Sequence, residues 1–546
     1  MGQKLDRVIY EISIVYIALP VFIFLAGWLR LVVAVPVCAV FLISVFLMLR
    51  NRPEPVAWHL SKAQGGIILA SLIILAVWVF LSGQGGFAFQ NSDYQYRNAI
   101  FHDLINKSWP VIYNYSAQNS AAGISIVSAS NTAILTYYIG FWLPGALVGK
   151  LFGWYAANVF LYFWSLSGVV LVTYYLFRTL RKASVWTVLI FIFFSGMDVL
   201  GYYLSNWSLP GPIQHIEWWS GLQYSSNTTL LFWVFNQTIV MWLAVLLIMN
   251  LKNSRSLFFL YAMLLLQGPF PFLGMLPIVL WKAYQGYPLD LKKKGSKYVN
   301  AAAAFFLWFW SGVRRALTFE NIFGGISVLS IVYLYLSNNI SASTTGINKL
   351  TFNYYLFIIF ECGLYLLFLY VDHKKKPLYW ICVGSLLVIP FFEIGSSQDF
   401  CMRVSIPALF MVQIMIQQSL LGRRDMQNDD VNLGRADVPV RRDGKTASYK
   451  SAHAVQNTAA QQSGNSRGIV TGGESKLIRV ILIVFLIIGA VVPVQEMLRS
   501  IVYTLPPYKY TWSDSIKTLG NDMTSASNFL GLTKDNLFYE YLARKK

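Results

Sequence analysis

Ionisable side chains are scarce in this sequence, and three groups of them have types and spacings suited to proton transfer and phosphate binding. The first lies in "SGQGGFAFQNSDYQYRNAIFHDLINKSWPVIYNYSAQN", where a short helix carries Asp93, Arg97, His102 and Asp103. Asp93 and Arg97 are four residues apart, so they share one helical face. A carboxylate at a water–lipid boundary can take the proton of an attacking hydroxyl, and a neighbouring guanidinium can hold a phosphate. The same spacing also makes an ordinary surface ion pair worth about 0–1 kcal/mol.

The second group is in "NWSLPGPIQHIEWWSGLQYSSNTT". His215 and Glu217 are one residue apart and point to one face if the chain is extended there. Two ligands are too few for a metal site, so sugar binding is the alternative use, and no metal is expected. Trp218, Trp219 and Tyr224 suit either an interfacial aromatic belt or a platform on which sugars stack. The third group is in "FFEIGSSQDFCMRVSIPALF", with Glu393, Asp399 and Arg403. Asp399 and Arg403 repeat the four-residue spacing of Asp93 and Arg97.

The elements that must hold these groups are membrane helices. Of 546 residues 56% are hydrophobic and only 12% charged, about half the charged fraction of a soluble domain. The apolar residues come in blocks near the roughly 20 residues that cross a bilayer as a helix, without the alternation of barrel strands. The expectation is an all-α, polytopic transmembrane helix bundle of about 13 crossings. They are read at 8–28, 31–49, 66–82, 154–177, 184–204, 230–250, a short pair at 256–267 and 270–284, 321–337, 352–371, 377–394, 404–421 and 476–494. The segment after 131 reads as a dip from one face, and 299–318 as an interfacial helix. The short pair is interrupted by Gly268, Pro269 and Pro271; two half-length helices and one long kinked helix both satisfy that pattern.

A net charge of +19 does not imply nucleic acid, because the cations sit in short runs between apolar blocks, as membrane orientation requires. Arg50 and Arg52, Arg178 to Lys182, Lys292 to Lys294, Lys374 to Lys376 and the run from Arg423 to Lys476 share one side only with a cytoplasmic N-terminus and an external C-terminus. This places 83–131, 205–229, 338–350, 395–403 and a short 495–546 segment outside. Residues 1–421 then form the bundle, 476–494 its last helix, and the polar, Gly- and Ser-rich 422–475 a disordered cytoplasmic linker. Four scattered cysteines signal neither disulfides nor zinc. No GxxxxGK[ST] phosphate loop occurs, and no nucleotide or other cofactor is expected.

An acid soon after an early helix, the Tyr-rich "LTYYIGFWLPGALVGKLFG" and the short paired segment with a mid-turn proline resemble the GT-C superfamily of membrane glycosyltransferases, over roughly residues 60–290. The resemblance implies a polyprenyl-phosphate sugar donor, a glycan or lipid acceptor, and catalysis at the outer face of a bacterial cytoplasmic membrane, with Asp93 as the base. The paired acid of that superfamily is not repeated here, since Ser92 precedes Asp93 and Gln95 follows at the second position. His102, Arg97, His215, Glu217, Asp399 and Arg403 are the candidate substrate-binding residues. The competing expectation is a transporter, flippase or polymerase-like protein of envelope polysaccharide, which would line a path with charges inside the bundle. Protein partners are not legible in the sequence.

Overall fold

The computed structural model describes residues 2–51, 62–114, 132–285, 301–339, 345–348, 351–394, 399–422, 472–507, 518–521, 527–532 and 536–545. Nearly all of the expected linker 422–475, part of the first outer segment (115–131) and the Lys292–Lys294 cluster lie outside the described residues.

The chain is mostly helical. Its helices are α1 Gly2–Trp28, α2 Leu31–Arg50, α3 Lys62–Leu81, α4 Tyr94–Asn106, α5 Leu143–Leu180, α6 Val185–Phe193, α7 Asp198–Asn206, α8 Asn227–Asn250, α9 Leu257–Met263 and α10 Pro269–Tyr284. They continue with α11 Ala301–Ala316, α12 Ile326–Leu336, α13 Phe352–Ile358, α14 Leu364–His373, α15 Pro377–Val388, α16 Asp399–Val404, α17 Ile406–Leu421, α18 Gly472–Gly489 and α19 Val491–Thr504. Among the described residues eight helical stretches are long and apolar enough to cross a membrane.

The centre of the bundle is α8. Its sequence is apolar all round, which suits a helix enclosed by others, and its most apolar window is 94% buried. Ser226 starts it, its hydroxyl accepting from Thr229 N at 2.9 Å. Trp242 on α8 packs between Phe191 of α6 and Phe410 of α17, at ring separations of 4.9 and 5.9 Å.

Two stretches double back. Helix α5 breaks at Gly153, whose φ of 83° an L side chain rarely adopts. A Cβ on Gly149 would lie 3.0 Å from the Cβ of Ala157, although eight residues of straight helix span about 12 Å. Residues 143–152 therefore fold against the start of the long arm instead of extending it. The short pair resolves as a second hairpin: Tyr261 of α9 stacks on Phe272 of α10 at 4.0 Å and donates to its carbonyl at 3.0 Å. The half-helix alternative is the one adopted.

The all-α expectation needs one amendment, two small sheets. Strands β1 Ile112–Asn114, β2 Thr132–Leu135 and β5 Leu530–Leu532 form an antiparallel sheet in the order β1-β2-β5, and β3 Thr345–Ile347 pairs with β4 Phe392–Ile394. Both lie in polar connections, where backbone groups have no helix to satisfy them. The last apolar helix also runs past the expected residue 494, through a turn at Ala490, to Thr504. The chain beyond it returns to α1: Arg544 N donates to Trp28 O at 2.8 Å and Arg30 N to Leu542 O at 2.9 Å.

These contacts gather residues 28–30, 82–114, 132–139, 207–226, 337–339, 345–348, 390–394, 399–403, 504–507, 518–521, 527–532 and 536–545 at one end of the bundle. The other end carries Asn51 on Asn253 and Arg255 on Glu320.

If the α5 hairpin is closed by the contact of Gly149, Gly149→Leu drives a side chain into Ile105 and Ala157. The expected loss is about 1–3 kcal/mol, read as a lower melting temperature of the detergent-solubilised protein; an unchanged melting temperature counts against the hairpin.

Candidate functional site

Helix α4 owes its position to its apolar face. Ile100, Phe101, Leu104 and Ile105 recur at three- and four-residue spacing and are buried, the last two turns lying against the α5 hairpin. That packing fixes Asp93 at the helix start and Arg97 one turn on. Arg97 Nη2 meets Asp93 Oδ2 at 2.7 Å; the arginine side chain is 7% exposed and the aspartate 43%. The guanidinium lies 5.6 Å from the ring centroids of both Tyr94 and Phe235.

Helix α16 builds the same device from the far end of the sequence. It packs on the start of α10, where Val404 O would lie 1.9 Å from a Cβ on Gly274. Arg403 Nη2 meets Asp399 Oδ2 at 2.8 Å, with side-chain exposures of 11% and 43%. The two pairs converge on two tyrosines between β2 and α5. Arg403 Nη1 donates to Tyr138 Oη at 2.7 Å, and the hydroxyls of Tyr137 and Tyr138 are hydrogen-bonded to each other. Arg97 acts electrostatically on both tyrosines, and Asp93 on Arg403.

The charge states follow from burial and neighbours. Burial raises the Tyr137 and Tyr138 hydroxyls above their usual range, with Arg403 pulling the other way, so both are neutral phenols near pH 7. Burial opposes the charge on Arg403, but Asp399, Tyr138, Tyr137 and Asp93 outweigh it. Arg97 Nη1 and Arg403 Nε are buried donors with no acceptor among the described residues. Close by, Gln267 has neither amide atom paired, and a Cβ on Gly140, two residues from Tyr138, would lie 2.7 Å from its Oε1. Gln267 and Gly268 immediately precede α10, whose N-terminal amides add a partial positive charge. The arrangement is two buried cations with spare donors, two carboxylates at the rim and neutral hydroxyls between. Chemically it can hold a phosphate and accept a proton beside it.

The other sequence candidates lie elsewhere. His102 sits edge-on to Trp154 at 6.1 Å, away from the tyrosines. Asp103 is an anchor: its Oδ2 accepts from Tyr113 Oη and Thr518 Oγ1 at 2.8 Å each and from Leu519 N at 3.1 Å. Glu393 is in β4, beside Gly346.

His215 and Glu217 do not act as one pair. His215 Nδ1 shares a hydrogen bond with Glu496 Oε1 at 2.8 Å, and Glu496 also accepts from Trp233 Nε1 and Arg499. Glu217 turns to Ser225 Oγ, Ser226 N and Gln223 Nε2 at 2.6, 2.9 and 3.0 Å. Trp218 stays 55% exposed, while Tyr224 is buried. Next to Glu217 is an unexpected feature. Asp198, at the break between α6 and α7, and Glu361, in the π turn Ile359–Gly363, are both buried and act electrostatically on each other.

Tyr137, Tyr138, Gln267, Glu496, Asp198 and Glu361 were not singled out from sequence. Asp198 and Glu361 did carry a signal, as isolated acids within apolar runs. The tyrosines stood out only as part of a Tyr-rich stretch and Gln267 not at all, because their role depends on neighbours distant in the chain. Among the described residues no group of three or more His, Cys, Asp or Glu is arranged to hold a metal ion. Comparison with protein families, with curated proteins and with solved structures finds no match to this chain.

Two outcomes follow. Asp103→Ala leaves three donors without their acceptor and should cost about 1–3 kcal/mol, measured by thermal unfolding; full stability would show that the anchor is unimportant. For His215, burial alone lowers the pKa, but the hydrogen bond to Glu496 and the charges of Glu217 and Glu496 raise it above 6.5 overall. A raised value in the fold stabilises fully below the unfolded value and is lost as pH climbs through the folded one. The stability gap between the wild type and His215→Gln should therefore be widest near about pH 6 and narrow as pH rises above the ordinary histidine range. A gap that widens with pH contradicts this.

Proposed function

We propose that the chain is a multi-pass membrane glycosyltransferase that uses a polyprenyl-phosphate-linked sugar at the outer face of a bacterial cytoplasmic membrane, for envelope glycan or glycolipid assembly. The observation that carries the reading is the convergence of Asp93–Arg97 and Asp399–Arg403 on Tyr137 and Tyr138. In this reading the chain crosses about 13 times, with a cytoplasmic N-terminus and an external C-terminus. The described parts of the sequence's outer polar segments lie at one end, which supports their sharing one side of the membrane; the orientation itself rests on the distribution of Lys and Arg.

The chemistry is a direct displacement. The acceptor hydroxyl attacks the anomeric carbon as the bond from that carbon to the phosphate oxygen breaks. The hydroxyl proton passes to Asp93, and the electron pair leaves with the polyprenyl phosphate. Arg97 and Arg403 counter the charge that grows on the departing phosphate, which is where fixed cations lower a barrier most. Partial exposure leaves Asp93 reachable by an acceptor, while the buried arginine holds it in place. Trp218, exposed beside His215, offers a face for a sugar ring.

A second reading, proton- or cation-linked transport of an envelope precursor, is favoured by one observation: the buried Asp198–Glu361 pair at two helix breaks. Against it, Glu11, an acid of the first helix, is paired with Arg7 at 2.9 Å.

Asp93→Asn keeps shape but removes the base, and should lower transfer from a polyprenyl-phosphate sugar by about 10²–10⁴-fold in reconstituted membranes, with donor binding retained. Arg403→Gln should weaken donor binding as well. Wild-type transfer by Asp93→Asn, with loss in Asp399→Asn, would move the base to Asp399. No transfer by the wild type across a panel of such donors, together with translocation that Glu361→Gln abolishes, would establish the transport reading.

A further inference from the structure

A second basic site lies at the same end of the bundle, apart from the tyrosine pair. A cleft of about 410 Å³ is lined by Gly27, Ser108, Trp109, Lys150, Arg544 and Lys545. Three of these six residues are cations and none is an acid. Like charges gathered in one concave site repel one another unless an anion joins them, and the low-dielectric walls strengthen its attraction.

Lys150 is held in place, while Arg544 and Lys545 stand exposed on a fixed backbone. Lys150 Nζ donates to Ile105 O at 3.0 Å and Lys107 O at 2.7 Å, and lies 5.0 Å from the ring of Trp109. The indole of Trp109 is itself fixed, its Nε1 donating to Leu104 O at 2.8 Å and its ring 4.8 Å from that of Trp28. Arg544 is placed by its backbone bond to Trp28 O. The third side of the cleft is thus supplied by the last residues of the chain, returning to the end of α1.

The surroundings say what kind of anion would enter. Lys150 is on the short arm of the α5 hairpin, and its neighbours Leu147, Leu151 and Phe152 are 39%, 77% and 73% exposed, with Tyr155 at 75%. A free phosphate has no use for that apolar flank. A lipid does: its phosphate would sit among the cations while its chains lay along the leucines and Phe152, with Trp109 at headgroup depth.

We propose that this cleft binds the phosphate of an anionic membrane lipid headgroup, clamping the α5 hairpin to the C-terminal segment at the membrane surface. The assignment does not rest on glycosyl transfer.

The test uses the full chain in nanodiscs of phosphatidylcholine with a minor share of phosphatidylglycerol, counting lipids retained on release by native mass spectrometry. The wild type should retain phosphatidylglycerol over phosphatidylcholine by at least about tenfold. The Arg544→Gln/Lys545→Gln double variant should lose most of that preference. Lys545→Glu, a change at an exposed side chain, should lower it without altering the melting temperature. Equal retention by wild type and variants overturns the proposal. Displacement of the lipid by millimolar inorganic phosphate in the wild type also overturns it, and gives the cleft to a soluble phosphate.

Discussion

A helix that breaks inside an apolar bundle frees backbone carbonyls and amides that no water can reach, and each must find a protein partner. Much of this architecture answers that requirement. At the break between α6 and α7, Asn227 Nδ2 reaches Phe191 O at 2.8 Å, Thr228 Oγ1 reaches Ile192 O at 2.8 Å, and Asn227 N reaches Phe194 O at 3.1 Å. Tyr365 Oη takes Ser195 O at 3.1 Å, and Met197 N finds Phe360 O at 3.0 Å. Where α8 departs from helical geometry at Val234, Gln84 and Asn91 donate to Leu231 O and Phe232 O at 3.2 and 2.9 Å. The polar start of α8 is thus a hub for the breaks in its neighbours. This explains why so many Asn, Thr, Gln and Ser are buried at one end of an apolar molecule.

The same end then becomes hospitable to charge. A guanidinium under an apolar roof keeps its proton and its place only against a carboxylate, and a carboxylate so used costs least if it sits at the rim. Both arginine pairs follow this plan, with the cation buried and the acid 43% exposed. Because the arginines come from α4 and α16, the space between them depends on the two hairpins, which bring Tyr138 and Gln267 to it. The C-terminal chain completes the enclosure. Phe529 packs on Tyr96 at 5.4 Å and on Tyr137 at 4.8 Å, and Thr136 N bonds to Phe529 O at 2.9 Å. A chain ending soon after its last apolar helix would leave the tyrosine pair open.

Composition and block length pointed to a membrane helix bundle, because this many long apolar helices exceed what one protein core can enclose. Charge runs gave only an expectation of which connections share a side, since a cation leaves water at high cost. Four-residue spacing found Asp93–Arg97 and Asp399–Arg403, as helical neighbours are fixed by the period alone. The tertiary structure decided everything that depends on meeting across the chain: that the two pairs share Tyr137 and Tyr138, that His215 pairs with Glu496 and not with Glu217, that Asp103 anchors the C-terminal segment, and that Asp198 meets Glu361. It also chose between readings that sequence left equal, folding the Gly268–Pro269 segment into a hairpin. The reason is physical. Local spacing sets which side chains share a face, but the partner on the facing element is selected by packing among helices whose apolar surfaces, read singly, are interchangeable.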